Sequence, residues 1–223
     1  MATGGAAGVR PVRIGVLFSG GGRTLENLAA KCSAGEIPGS IALAVSSHPD
    51  AGGLERARGL GIPCRVADYH ALGEGLSREI GAFLDEAEVD LVCLAGFIRK
   101  FTVPPGREGN VLNIHPALLP AFGGRGFYGD RVHRAVIASG ARFSGCTVHY
   151  VTDEYDSGPV ILQRVVPVVP GDTVESLAAR VFAEECIAYP EAIRLHAEGR
   201  LRIEGGKVKL LPVASSPSVG GGL

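Results

Sequence analysis

Residues 13–35 read RIGVLFSGGGRTLENLAAKCSAG. A short apolar run, 13–18, passes through a glycine-rich turn into a segment with Leu25, Leu28 and Ala29 at helical spacing, and Gly35 stops it. A strand, a tight turn and a helix in that order are the opening of a Rossmann-like unit. The chain then repeats the rhythm. IALAVSS (41–47) reads as a strand, AGGLERARGLG (51–61) as a helix closed by Gly61, and PCRVADY (63–69) as another strand. LSREIGAFLDEAE (76–88) is an amphipathic helix with Ile80, Phe83 and Leu84 on one stripe, and VDLVCLAG (89–96) is apolar on both faces. Strands apolar on both sides that alternate with helices predict a parallel sheet covered by helices.

The second half changes character. VLNIH (111–115) is a further strand and RVHRAVIASG (131–140) a helix. SGCTVHYV (144–151) is a strand with Thr147, His149 and Val151 on one face, and GPVILQRVVPV (158–168) is its antiparallel neighbour. Residues 173–200 carry a long helical pattern, bent or broken at Pro190, and RIEGGKVKL (202–210) forms a terminal hairpin around Gly205-Gly206. The expectation is one α/β domain over 12–212, Rossmann-like, with a mostly parallel sheet and an antiparallel C-terminal part. A disordered N-terminal tail, 1–11, and a flexible C-terminal tail, 213–223, are expected from their small, Gly-rich residues.

Composition narrows the partners. In the 223 residues, 22 basic side chains nearly cancel 23 acidic ones, so no overall field argues for nucleic acid or an anionic membrane, and small molecules are expected instead. Cys32, Cys64, Cys93, Cys146 and Cys186 are scattered with no CxxC pair, which suggests neither a zinc site nor a disulfide framework. No apolar run approaches the roughly 18 residues of a membrane span, and MATGGAAGVRP lacks a signal-peptide core. The expected setting is the cytoplasm.

In an open parallel sheet, ligands gather at the carboxyl ends of the strands, and three segments land there. SGGGRT (19–24) offers backbone amides and a helix N-terminus to an anion, with Arg23 adding charge and Thr24 placed to cap the helix. It is not a dinucleotide fingerprint, because the third glycine of GxGxxG would fall at Leu25, nor a P-loop, which needs GK[ST]. A tight turn with no ligand is the plain alternative. VLNIHP (111–116) puts Asn113 and His115 side by side on one strand face, an amide donor beside a group that exchanges protons near neutral pH. A histidine merely satisfied by backbone carbonyls is the alternative there. VTDEYDSGPVIL (151–162) is an acidic turn with Asp153, Glu154 and Asp156. It is either a solvated hairpin or the source of a carboxylate that turns in to His115 and raises its pKa. His48, His70 and His196 read as surface residues. No nucleophile elbow and no HExxH are present, leaving direct transfer without a covalent enzyme intermediate.

Taken together, NIHPALLP, LAGFIRKF, TVHYVTDEYDSGPVILQ and GDTVESLAARV resemble the folate-dependent formyltransferases, most closely those of purine synthesis, over about residues 13–211. The resemblance implies a formyltransferase fold in which the amine of glycinamide ribonucleotide attacks the formyl carbon of 10-formyltetrahydrofolate, the cosubstrate, with no metal. It implies that Asn113 stabilises the oxyanion, that His115 is the general acid and that Asp156 orients His115. Gly22, Arg23 and Thr24 match the turn that holds the substrate phosphate, and Pro116 and Glu185 match positions beside the substrate. Ile98, Arg99, Lys100 and Phe101 match the folate-pocket segment. A monomer or homodimer is implied.

The chain also departs from the family. Gly-Arg-Thr stands where Gly-Ser-Asn is usual, and PAFGGRGFYGDRVH is longer than the usual connection. Gly73 lies where a folate-contacting arginine is common, and Phe182 where Lys or Gln is common. Three other readings stand beside transfer to this acceptor: hydrolysis of 10-formyltetrahydrofolate, formylation of another amine, and a non-catalytic folate or nucleotide binder.

Overall fold

The structure is a computed structural model and describes residues 10–212. The two tails at 1–9 and 213–223 lie outside the described residues. Arg10 and Pro11, read above as tail, have no regular structure, but Arg10 reaches Asp90 at 3.0 Å.

The opening stretch folds as its pattern requires. β1 (Val12–Phe18) runs into α1 (Arg23–Ser33), followed by β2 (Gly39–Ser46), α2 (Gly52–Gly59) and β3 (Cys64–Val66). A single helical turn, α3 (Tyr69–Leu72), precedes α4 (Leu76–Glu86), β4 (Leu91–Leu94) and β5 (Val111–His115). β3 is shorter than the predicted 63–69. Asp68 accepts a hydrogen bond from the His70 amide and caps α3, so the chain leaves the extended state there.

Strand order is β3-β2-β1-β4-β5, all parallel. Order reverses at β1, so β2 and β4 flank it and a crevice opens beyond the carboxyl ends of β1 and β4. The two sheet faces bury different partners. Ile14, Val16 and Phe18 of β1 join a core with Leu25 and Leu28 of α1, while Leu17 joins Leu76, Ile80 and Leu84 of α4 on the other face. That is the period-two alternation of a strand buried on both sides.

After α5 (Asp130–Ala138), the strands β6 (Phe143–Tyr150) and β7 (Val160–Pro167) complete a seven-stranded sheet in antiparallel pairing, with β6 beside β5. The hairpin β8 (Leu201–Glu204) and β9 (Lys207–Leu210) forms a separate two-stranded sheet.

α6 (Val174–Ala197) starts at a capping box in which Thr173 and Ser176 exchange side-chain and backbone bonds. It is not broken at Pro190. A mid-helix proline costs about 3 kcal/mol. Here Tyr189, Ala192 and Ile193 around it are fully buried, and large apolar side chains contribute about 1.5–3 kcal/mol each on burial, enough to offset the lost bond. The Tyr189 hydroxyl sits 3.0 Å from both the Leu94 and the Leu112 carbonyl oxygens, which ties α6 to the ends of β4 and β5.

The acidic turn depends on one glycine. A Cβ on Gly158 would lie 1.8 Å from the Tyr150 carbonyl oxygen, at the point where the Tyr150 amide bonds the Pro159 carbonyl. Overpacking of this kind costs about 1–3 kcal/mol, and here the obstacle is backbone. Gly158→Ala is expected to sit at the upper end, lowering Tm by roughly 6–12 °C for a chain of this size. Thermal denaturation followed by circular dichroism reads it, and an unchanged Tm would contradict the close approach.

Candidate active site

Asn113 and His115 stand on the same face of β5, at its carboxyl end, as their i, i+2 spacing requires. Antiparallel pairing sets β6 against them, with Asn113 opposite His149 and His115 opposite Thr147. Asp156 is the member of the acidic turn that faces inward. Its Oδ2 lies 3.5 Å from His115 Nδ1 and accepts the Gly124 amide at 2.8 Å, and its Oδ1 lies 3.4 Å from Asn113 Nδ2. Asp156 has φ +52°, a left-handed conformation that Asp adopts more readily than most residues and that these contacts hold in place.

The longer segment after His115 closes the site with its backbone. The Phe122 carbonyl oxygen is 2.9 Å from His115 Nε2. A carbonyl can only accept, so Nε2 keeps its hydrogen and Nδ1, which faces Asp156, is the nitrogen free to exchange one.

His115 is almost fully buried, and burial lowers its pKa below the ordinary value; Asp156 and the Phe122 carbonyl push the other way without overcoming it. The expected upward shift is therefore reversed, because desolvation of the imidazolium outweighs one carboxylate. Burial also pushes the Asp156 carboxyl up, but the neighbouring His149 and His115 rings and the Gly124 amide together bring it below the usual carboxylate range.

These groups open on a cavity of about 420 Å³. Ile98, Arg99, Lys100 and Phe101, on the loop that follows β4, line one side of it, and the 124–128 and 151–156 segments line others. The Ile98 amide donates to Ser19 Oγ at 3.1 Å, which joins this loop to the end of β1. Arg99 lies over the Tyr69 ring, 4.0 Å from its centroid. A second cavity of about 420 Å³ shares Ile98, Arg99, Lys100 and Tyr155 and extends past Gly73 and Ser77.

Gly22, Arg23, Thr24, Pro116 and Glu185 do not line the cavity on which Asn113, His115 and Asp156 open. Gly22 is the N-cap of α1 at φ +76°, and a Cβ there would meet Gly53 Cα at 2.6 Å, so α1 and α2 begin in backbone contact. Thr24 lies inside α1 and no side chain caps the helix, which corrects the capping role expected for it. The Arg23 guanidinium lies 4.1 Å from the centroid of the Phe182 ring on α6. Burial pushes the Glu185 carboxyl, one turn further along α6, up to about 7, and Arg23 pulls it back down.

Two histidines differ from their reading in the sequence. His196 is not a surface residue: its Nδ1 is 3.2 Å from the Tyr150 hydroxyl, and burial lowers its pKa. His149, assigned no role from sequence, is buried beside Asn113 and Asp156, at 3.1 and 3.7 Å. The signal for it was its place on the strand that leads into the acidic turn. Among the described residues no group of three or more His, Cys, Asp or Glu could hold a metal ion, and no helix is long and apolar enough to cross a membrane.

Known proteins share this arrangement of chain. A chloroplastic phosphoribosylglycinamide formyltransferase of Vigna unguiculata is 41% identical over 215 residues, covering 94% of this chain and 69% of its own. The phosphoribosylglycinamide formyltransferase of Haemophilus influenzae is 37% identical over 196 residues, covering 86% of this chain and 90% of its own. The crystal structure of glycinamide ribonucleotide transformylase 1 from Symbiobacterium toebii superposes with a TM-score of 0.85 at 45% identity, covering 91% of this chain and 95% of that one. The formyl transferase family matches residues 12–193, and with that match over most of its length the chain belongs to the formyl transferase family.

Proposed function

We propose that the chain transfers the formyl group of 10-formyltetrahydrofolate to the amine of glycinamide ribonucleotide, a step of purine biosynthesis. The observation that carries this reading is the meeting of Asn113, His115 and Asp156 at the mouth of one cavity, a donor, an acid and its partner within 3.5 Å contacts. The acceptor amine attacks the formyl carbon and its C=O electrons move onto oxygen. Asn113 Nδ2 donates to that oxyanion, where a well-placed donor lowers the barrier most. His115 Nδ1 takes up the proton lost by the amine and, as the acid, returns it to the departing folate nitrogen. The carbon–nitrogen bond to folate breaks, and formylated ribonucleotide and tetrahydrofolate remain. Ile98 to Phe101 hold the folate, and Pro116 and Glu185 the acceptor.

The deciding experiment supplies 10-formyltetrahydrofolate with and without glycinamide ribonucleotide and follows tetrahydrofolate. Acceptor-dependent release is expected. Equal release without acceptor would mean a hydrolase, and no release in either case would overturn the reading.

Gly22 and Thr24 supply backbone amides to the substrate phosphate, and Arg23 supplies charge. Stacking on Phe182 leaves the guanidinium N–H edge available for a bidentate contact. A hydrogen bond to a charged group contributes about 1.5–3 kcal/mol, so Arg23→Ala is expected to raise the KM for the ribonucleotide about 10- to 100-fold with kcat little changed. An unchanged KM would sink this role.

Glu185 gives a pH dependence with a definite sign. With its pKa at about 7, the carboxylate that accepts from the acceptor amine is mostly neutral at pH 6 and mostly charged at pH 8. The KM for the ribonucleotide should fall across that interval in the wild type, and more steeply than in Glu185→Gln. Parallel KM profiles for the two proteins would remove Glu185 from the site.

A further inference from the structure

The amide of Asn113 has two hydrogens, and both are engaged before any substrate arrives. Nδ2 lies 3.1 Å from His149 Nε2 and 3.4 Å from Asp156 Oδ1. The second distance is long for a hydrogen bond, the first is ordinary.

What His149 presents to Asn113 is settled on the far side of its ring. His149 Nδ1 lies 2.8 Å from the Tyr150 carbonyl oxygen. That oxygen can only accept, so in the neutral ring Nδ1 carries the hydrogen and Nε2 is left with a lone pair. A lone pair at 3.1 Å admits the nitrogen of the Asn113 amide and repels its oxygen. The opposite amide orientation would also set Asn113 Oδ1 against the Asp156 carboxylate. The cross-strand register that places Asn113 opposite His149 brings the two groups within reach.

We infer that His149 is a positioning residue for the reaction: it anchors one hydrogen of the Asn113 amide, so that the other, loosely held by Asp156, is free to move to the developing oxyanion. Without that anchor the amide turns, and its strongest remaining bond is to the Asp156 carboxylate, which competes with the oxyanion for the same hydrogen. The inference rests on the reading of Asn113 as oxyanion donor. His149 itself touches no reacting atom.

Kinetics and spectroscopy test it separately. Loss of an oxyanion donor lowers kcat by about 10²- to 10³-fold, and a misoriented donor loses part of that. His149→Phe, which keeps a ring and removes the acceptor, is expected to lower kcat about 10- to 100-fold with both KM values within about threefold. His149→Gln, whose carbonyl oxygen can accept from Asn113, should recover most of the loss. In an Asn113→Ala background, His149→Phe should cost less than about twofold. An undiminished cost in that background, or a His149→Phe enzyme within twofold of wild-type kcat, overturns the inference. Nitrogen-15 shifts of the His149 ring in the wild-type protein need no variant and no turnover. They should show the neutral form protonated on Nδ1, and a ring protonated on Nε2 alone overturns the proposal. If the wild type transfers no formyl group while the Nδ1 tautomer is present, the functional reading fails and the anchoring of the amide stands.

Discussion

His115→Ala is expected to lower kcat about 1,000-fold, inside the 10²- to 10⁴-fold span of a positioned acid or base, while the KM values of donor and acceptor stay within a few-fold. The split follows from geometry. His115 lies deep in the site, with Nε2 fixed by the Phe122 carbonyl and Nδ1 turned toward Asp156, so little of its surface is available to hold a bound ligand. On the proposed mechanism its contribution is confined to the proton that moves in the transition state, and a loss confined there appears in kcat and kcat/KM together. Steady-state rates with each substrate varied in turn give both constants. Full turnover with collapsed binding would reverse the assignment.

The second large effect is expected at Asp156. Asp156→Asn replaces one carboxylate oxygen with an amide nitrogen, and both oxygens already face donors: the Gly124 amide on one side and Asn113 Nδ2 on the other. Either orientation of the new amide sets a donor against a donor, so kcat should fall about 10²- to 10³-fold, as for loss of an oriented donor or acid. The sign of a second effect can be worked out. Burial lowers the His115 pKa and Asp156 raises it, so removing the carboxylate charge leaves burial with less opposition. The His115 midpoint should move to lower pH, and less imidazolium should be present at pH 7. A titration of the His115 ring proton in both proteins reads this directly. An unmoved midpoint with full turnover would remove Asp156 from the reaction.

Much of the fold was legible because it is local. The alternation of apolar strands and helices in residues 13–96 fixes a parallel sheet whatever lies elsewhere, and the i, i+2 spacing of Asn113 and His115 places them on one face without knowledge of their neighbours. The rest depends on distant parts of the chain. Which acid of DEYD turns inward is decided by the left-handed backbone at Asp156 and by the Gly124 amide, 32 residues away. His149 meets Asn113 through antiparallel register, which no local pattern carries. The His115 pKa was expected upward because a neighbouring charge can be imagined from sequence and the degree of burial cannot. Pro190 was expected to bend or break its helix, but the packing around Tyr189 keeps it continuous. Thr24 has the chemistry of a cap, yet the helix begins one residue before it, at Arg23.

The segment after Pro116 reaches His115 and Asp156 through main-chain hydrogen bonds, at the Phe122 carbonyl and the Gly124 amide. Its side chains at Arg125, Phe127 and Tyr128 meanwhile line the cavity. On the proposed mechanism, proton chemistry and ligand preference therefore fall to separable parts of one loop: the path of the backbone serves the first, the identity of three side chains the second. On that reading, exchange of those three residues should retune what the cavity accepts and leave the backbone contacts to His115 and Asp156 in place.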